Sequence, residues 1–288
     1  MRRLVHFLKF VVFVYSCLIL LAACSSSPKK FDSEIPRPDI QGLKEIKIEE
    51  PISIRLKSQV GRSEVVSYLF QSSSRSFEGQ ELRHQKDESM EFVAKAEGLS
   101  EDKEKNQFTQ RITIIKKDGA ADLHDFAMPE LGETLDITSN GLGQIFQAGD
   151  YPANSIFYVP SVSVPEHPVE VGDTWIMQAS WLSLQEMVPY QLDMVSILKS
   201  VLQCGQDRCA EIEVQGDVGF QGPLAQSMKF NSHWKGKIIL ALDAGSVVWS
   251  RLQSEEYLES TNVHREVSSC MEAVSLGASH FSGMRCGN

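Results

Sequence analysis

The feature that most restricts this chain is a two-residue beat of apolar side chains, carried through much of its length. Met90, Phe92, Ala94 and Ala96 alternate with Glu91, Val93, Lys95 and Glu97. Phe108, Ile112 and Ile114 share a face with Gln110, and Ile212, Val214 and Val218 alternate with Glu211, Glu213, Gln215 and Asp217. Trp234, Ile238, Leu240 and Leu242 sit opposite Lys235 and Lys237. Side chains on a strand point to opposite faces in turn, so this pattern specifies strands with one face in a core and one in water. Gly-containing turn sequences separate the runs: Lys117-Asp118-Gly119, Ser139-Asn140-Gly141 and Asp243-Ala244-Gly245. Together they predict a mainly β protein of roughly ten strands, built as antiparallel meander sheets. Two arrangements fit, a pair of β-rich halves or one curved half-barrel.

Helical signals are few. Residues 182–202 are interrupted by Pro189, and Tyr190, Leu192 and Met194 keep the strand beat. Residues 267–278 make the better short-helix candidate. Pro152, Pro160, Pro165 and Pro168 concentrate between the two halves, which predicts an extended crossover there, since the residue before proline is pushed toward extended backbone. The expected organisation is therefore a β-rich half over 51–150, a crossover over 151–168, and a second β-rich half with a short tail over 169–288.

The first residues follow another logic. Arg2, Arg3 and Lys9 precede an uncharged apolar run that ends Leu21-Ala22-Ala23-Cys24. A basic start, an apolar run of about 14 residues and small residues at its end form an export signal, too short for the roughly 20 residues of a spanning helix. The final tetrapeptide resembles the lipobox of bacterial lipoproteins. That resemblance implies cleavage between Ala23 and Cys24 and acylation of Cys24, with the membrane as partner through lipid and palmitate among the acyl groups. It makes 1–23 a signal peptide and 24–50, with its Ser-Pro-Lys and charged stretches, a tether. Because Ser25 rather than Asp follows the cysteine, the resemblance implies the outer membrane in a Gram-negative organism, facing the periplasm or cell surface.

Loss of residues 1–23 removes three cations and no carboxylate, deepening the net charge from −10 to −13. An acidic chain without a basic stripe repels phosphate backbones, so nucleic acid is not an expected partner. Of six cysteines, Cys17 lies in the signal and Cys24 belongs to the lipobox. The other four suit an oxidising compartment: Cys204 and Cys209 flank the turn-like Gly205-Gln206-Asp207-Arg208, leaving Cys270 and Cys286 to close a C-terminal loop. No CxxC is present, and no metal or other cofactor is expected.

The sequence Pro168-Val169-Glu170-Val171-Gly172-Asp173-Thr174-Trp175 resembles an element found in uncharacterised, mostly β exported lipoproteins. It suits a left-handed Gly172, an Asp173 bonding the amides that follow, and a Trp175 anchoring the next strand. The motifs GxSxG, HExxH and Walker A are missing. His124, between Asp122 and Asp125, reads as loop, and acidic pairs such as Glu255-Glu256 read as wet sheet faces. The chain is thus expected to bind rather than catalyse. It would act as a structural or assembly factor docking onto an envelope protein, or as a carrier for a lipid or other apolar ligand lined by Trp175, Trp181, Trp234 and Trp249. A hydrolase with dispersed residues is the third class.

Overall fold

The computed structural model describes residues 43–183, 187–222, 228–260, 263–277 and Cys286; Ala23 and Cys24 lie outside them. All the described residues fall in one compact unit that spans Ile35–Asn288. Its strands are β1 (Lys44–Glu45), β2 (Ser63–Glu78), β3 (Glu81–Asp102), β4 (Gln107–Asp118), β5 (Thr134–Asn140) and β6 (Ile145–Ala148). They continue as β7 (Thr174–Leu182), β8 (Pro189–Cys204), β9 (Asp207–Phe220), β10 (Lys229–Ala241), β11 (Ser246–Ser260) and β12 (Val263–Ser275).

These form a single 12-stranded antiparallel sheet, ordered β1-β8-β9-β10-β11-β12-β2-β3-β4-β5-β6, with β7 also on β8. The sheet is curved like a half-barrel and does not close. Sequence-distant β12 and β2 pair along thirteen positions from Val263 with Glu78 to Ser275 with Val66, so both halves of the chain share one sheet. Residues 263–275, expected in part as helix, are strand β12: Val267 and Met271 share a face with Ser269 and Ala273, and pairing on both sides outweighs a weak helical pattern.

The inner face is defined by what packs on it. Residues 46–62 cross one end of the sheet, docking at Val201, Val169, Gly141, Gly245 and Gly98 through backbone hydrogen bonds of 2.8–3.0 Å. Ile52 and Ile54 bury themselves against Leu198, Val201, Ile212, Ile238 and Leu240. Two of these docking points require glycine. A Cβ on Gly98 would collide with the Gln59 carbonyl, and one on Gly245 with Lys57, while φ at Gly245 is +66°. Residues 119–131 fold back so that Leu123 packs on Met90, Phe92 and Ile114. The crossover places Phe157 on Leu135 and Ala148, and it is not wholly extended, since Ile156–Tyr158 forms a 3-10 turn.

The outer face departs from the expected wet surface between β8 and β12. Glu211, Glu213, Lys237 and Glu272 are all buried. Lys237 Nζ lies 3.2 Å from Glu213 and 3.6 Å from Glu211, Lys199 Nζ lies 3.4 Å from Glu213, and Ser200 Oγ donates to Glu211 at 2.6 Å. Opposite charges on adjacent strands compensate one another, which is what allows ionised groups to leave water. Disulfides join Cys204 to Cys209, closing the β8–β9 hairpin, and Cys270 to Cys286, fastening the C-terminal region to β12.

Candidate functional site

Strand alternation and register assemble a composite surface on the inner face, at the end away from residues 46–62. The outermost row starts in β7. Trp181 lies opposite Tyr190, and Tyr190 opposite Phe220; Phe220 stacks on Phe230 with centroids 4.7 Å apart, and Phe230 lies opposite Leu258. Tyr190 meets Phe230 edge-on at 5.6 Å and Trp181 in stacked geometry at 5.4 Å. All four rings are only half-buried. Cross-strand aromatic pairs of this kind stabilise a sheet by roughly 0.2–1 kcal/mol each, while a half-exposed row of them offers a continuous apolar strip.

One row further in, the same face changes character. Val218 leads to Ser232, then Glu256, Val267 and Ser74. The next row runs Trp234, Ser254, Ser269 and Ser72. The apolar lining of β7 to β10 thus gives way to hydroxyls on β10, β11, β12 and β2. Trp234 Nε1 donates to Ser232 Oγ at 2.7 Å, and the Ser254 and Ser269 hydroxyls lie 2.7 Å apart.

Glu256 closes this network. Burial raises its carboxyl above the ordinary carboxylate range, opposed by hydrogen bonds from Ser232 and Ser254 and by the charge of Arg265. Adjacent Glu255 is exposed. The pair expected on a wet face is therefore split by strand alternation, one carboxylate outward and one inward. A folded carboxyl with a raised pKa is most favourable when protonated. Its effect on stability is absent below the unfolded value near 4.5 and unfavourable above it, growing until the folded value is passed. Glu256→Gln is accordingly expected to raise the melting temperature at neutral pH and to leave it unchanged well below pH 4. A pH series of thermal melts on both proteins checks this.

The four nominated tryptophans do not converge. Trp175 and Trp181 on β7 and Trp234 on β10 pack on the inner-face core. Trp249 belongs to the outer face, where it is 1% exposed among Leu202, Cys209, Ile239, Ala241 and Val274. It lines no surface shared with the other three. In the Pro168-to-Trp175 element, Gly172 has φ +97°. The Asp173 carboxylate accepts from the preceding Glu170 amide at 2.8 Å rather than from the amides that follow. As site residues Phe220, Phe230 and Ser232 carry no local signal in the sequence, while Tyr190 reads there only as part of a strand and Glu256 only as part of a wet face.

Elsewhere His124 sits in a 3-10 turn whose cap, Asp122, accepts its amide at 2.9 Å. Its ring nitrogens lie 3.1 Å from Asp122 and 3.1 Å from Glu133. His233 faces outward, 2.9 Å from cross-strand Asp217. Among the described residues, no group of three or more His, Cys, Asp and Glu is placed to hold a metal ion.

No family model matches the chain, and no curated protein matches it. Among solved structures it is similar to one described as "lipid-protein interactions in lipovitellin", at 11% identity and TM-score 0.41, covering 80% of this chain and 27% of that one. It spans only about a quarter of that lipovitellin chain. It is also similar to Ail, the attachment invasion locus protein of Yersinia pestis, at 8% identity and TM-score 0.18, covering 74% and 97% of the two chains. An outer membrane channel from Pseudomonas putida F1 is similar at 7% identity and TM-score 0.23, covering 81% and 100%.

Proposed function

We propose that the chain is a lipid-anchored envelope protein that holds an amphiphile, without catalysing a reaction, on the inner face of its curved sheet. The observation that carries this reading is the junction of two chemistries on one face. The aromatic row Trp181, Tyr190, Phe220 and Phe230 adjoins a hydroxyl network around the desolvated Glu256. Apolar lining with a few convergent polar groups is what a small-molecule site requires. An acyl or other apolar body would lie along the rings. A head that donates hydrogen bonds, an amine above all, would meet Glu256.

The test is tryptophan quenching by a single-chain amphiphile brominated in its tail, with the mature chain held in lipid nanodiscs. Saturable quenching is expected, at least ten-fold tighter for an amine head than for a carboxylate, a difference of about 1.4 kcal/mol. Phe230→Asp should remove it and Glu256→Gln should narrow the preference between heads. Quenching that never saturates, or that Phe230→Asp leaves unaltered, would refute the reading. A second reading, docking onto another envelope protein, draws on the edge of β7, which among the described residues pairs with β8 alone apart from a bridge at Leu182.

A further inference from the structure

Edge strands in soluble sheets are normally guarded by charge, proline, brevity or a covering segment, because their free N–H and C=O groups template pairing with other chains. The edge at β6 is short, four residues. Among the described residues the edge at β7 has no such guard before its last position. Its nine residues, Thr-Trp-Ile-Met-Gln-Ala-Ser-Trp-Leu, include no charge and no proline. Among the described residues it pairs with β8 alone, apart from a bridge at its last position, where the Leu182 amide donates to the Asn154 carbonyl at 2.7 Å.

That bond fixes the alternation. Leu182 turns its amide away from β8, whereas the Asp173 carbonyl accepts from Leu198. In an antiparallel ladder Thr174, Ile176, Gln178 and Ser180 therefore present their backbone groups outward. The same four side chains are exposed, and Ile176 is 70% exposed, more than any other large apolar residue described. Their neighbours Trp175, Met177 and Trp181 lie half-buried on the inner face.

We infer that β7 is the interface for a second copy of this chain, joined edge to edge about a two-fold axis at Ile176. The strand is self-complementary in that arrangement. Ile176 meets Ile176, Thr174 meets Gln178, and on the other face Trp175 meets Met177, a favourable sulfur–aromatic neighbour. Antiparallel pairing about a two-fold keeps inner face with inner face, as an isologous contact demands. The axis also stays clear of the Leu182 end that Asn154 occupies. The pairing stands independently of any ligand on the inner face.

The full chain in mild detergent is measured by sedimentation alongside Ile176→Lys and Ile176→Cys. The exposed side chain makes both variants compatible with folding, which circular dichroism checks. Two chains per particle are expected for the parent, at least ten-fold weaker pairing for the lysine variant, and a cross-linked pair for the cysteine variant under mild oxidation. A single-chain parent, or a lysine variant that pairs as tightly as the parent, would overturn the inference. So would a cysteine variant that stays uncross-linked within a dimeric particle.

Discussion

Replacement of Trp249 by alanine is expected to destabilise the fold by about 3–5 kcal/mol, at the upper end of single core substitutions. The ring on β11 is enclosed by Ile239 and Val274 of the two neighbouring strands and by Leu202 of β8 on the outer face, so the space it leaves cannot collapse without moving the sheet. Its Nε1 also donates to Glu272 Oε1 at 2.8 Å, while Arg251 Nη2 holds the other carboxylate oxygen at 3.1 Å and the guanidinium lies 5.6 Å from the ring centroid. Trp249→Phe separates the two contributions. It keeps much of the volume and removes the donor to a buried carboxylate, for an expected loss of about 1–3 kcal/mol. Urea unfolding of the two variants gives both numbers. Losses below about 1 kcal/mol for alanine would mean that the outer face between β8 and β12 is not a second core.

Cys24→Ala is expected to have an equally large effect on location and none on the sheet. The lipobox reading makes Cys24 the sole attachment point. On that reading membrane retention would rest on acyl chains, which contribute about 0.8 kcal/mol per buried CH₂, and one chain of myristoyl length anchors only marginally. Without the cysteine the chain should accumulate as unprocessed precursor or leave the membrane as soluble protein. Fractionation with metabolic labelling by a fatty acid checks this. Label incorporated at another residue, with normal retention, would contradict the lipoprotein assignment.

The sheet was legible in the sequence because burial on one face leaves a period of two. The alternation at Met90 to Ala96 and at Ile212 to Val218 reappears as β3 and β9, and the cysteines flanking Gly205 to Arg208 are joined by a disulfide at the hairpin end. What the sequence concealed lies in register. Glu256 faces Ser232 only because a bulge between Ile239 and Leu240 shifts the β10–β11 pairing by one position, and a one-residue shift exchanges the faces of a strand. Nothing local in Glu255-Glu256 marks which carboxylate turns inward. Trp249 was misplaced for the same reason, since its composition suits either face. The β12–β2 junction joins residues nearly two hundred positions apart, and no short-range pattern encodes it. The helix expected within residues 267–278 lost to that junction, where a strand finds partners on both sides.

The central claim is that the inner face carries an amphiphile in its native setting. The direct measurement is mass spectrometry of the wild-type chain lifted from its own membrane in polymer-bounded patches, compared with a Phe230→Asp chain expressed and recovered identically. The account predicts one amphiphile class, with an amine or other hydrogen-bond-donating head, enriched with the wild type over surrounding lipid and lost from the variant. Equal lipid profiles for the two proteins, both matching bulk membrane, would contradict it.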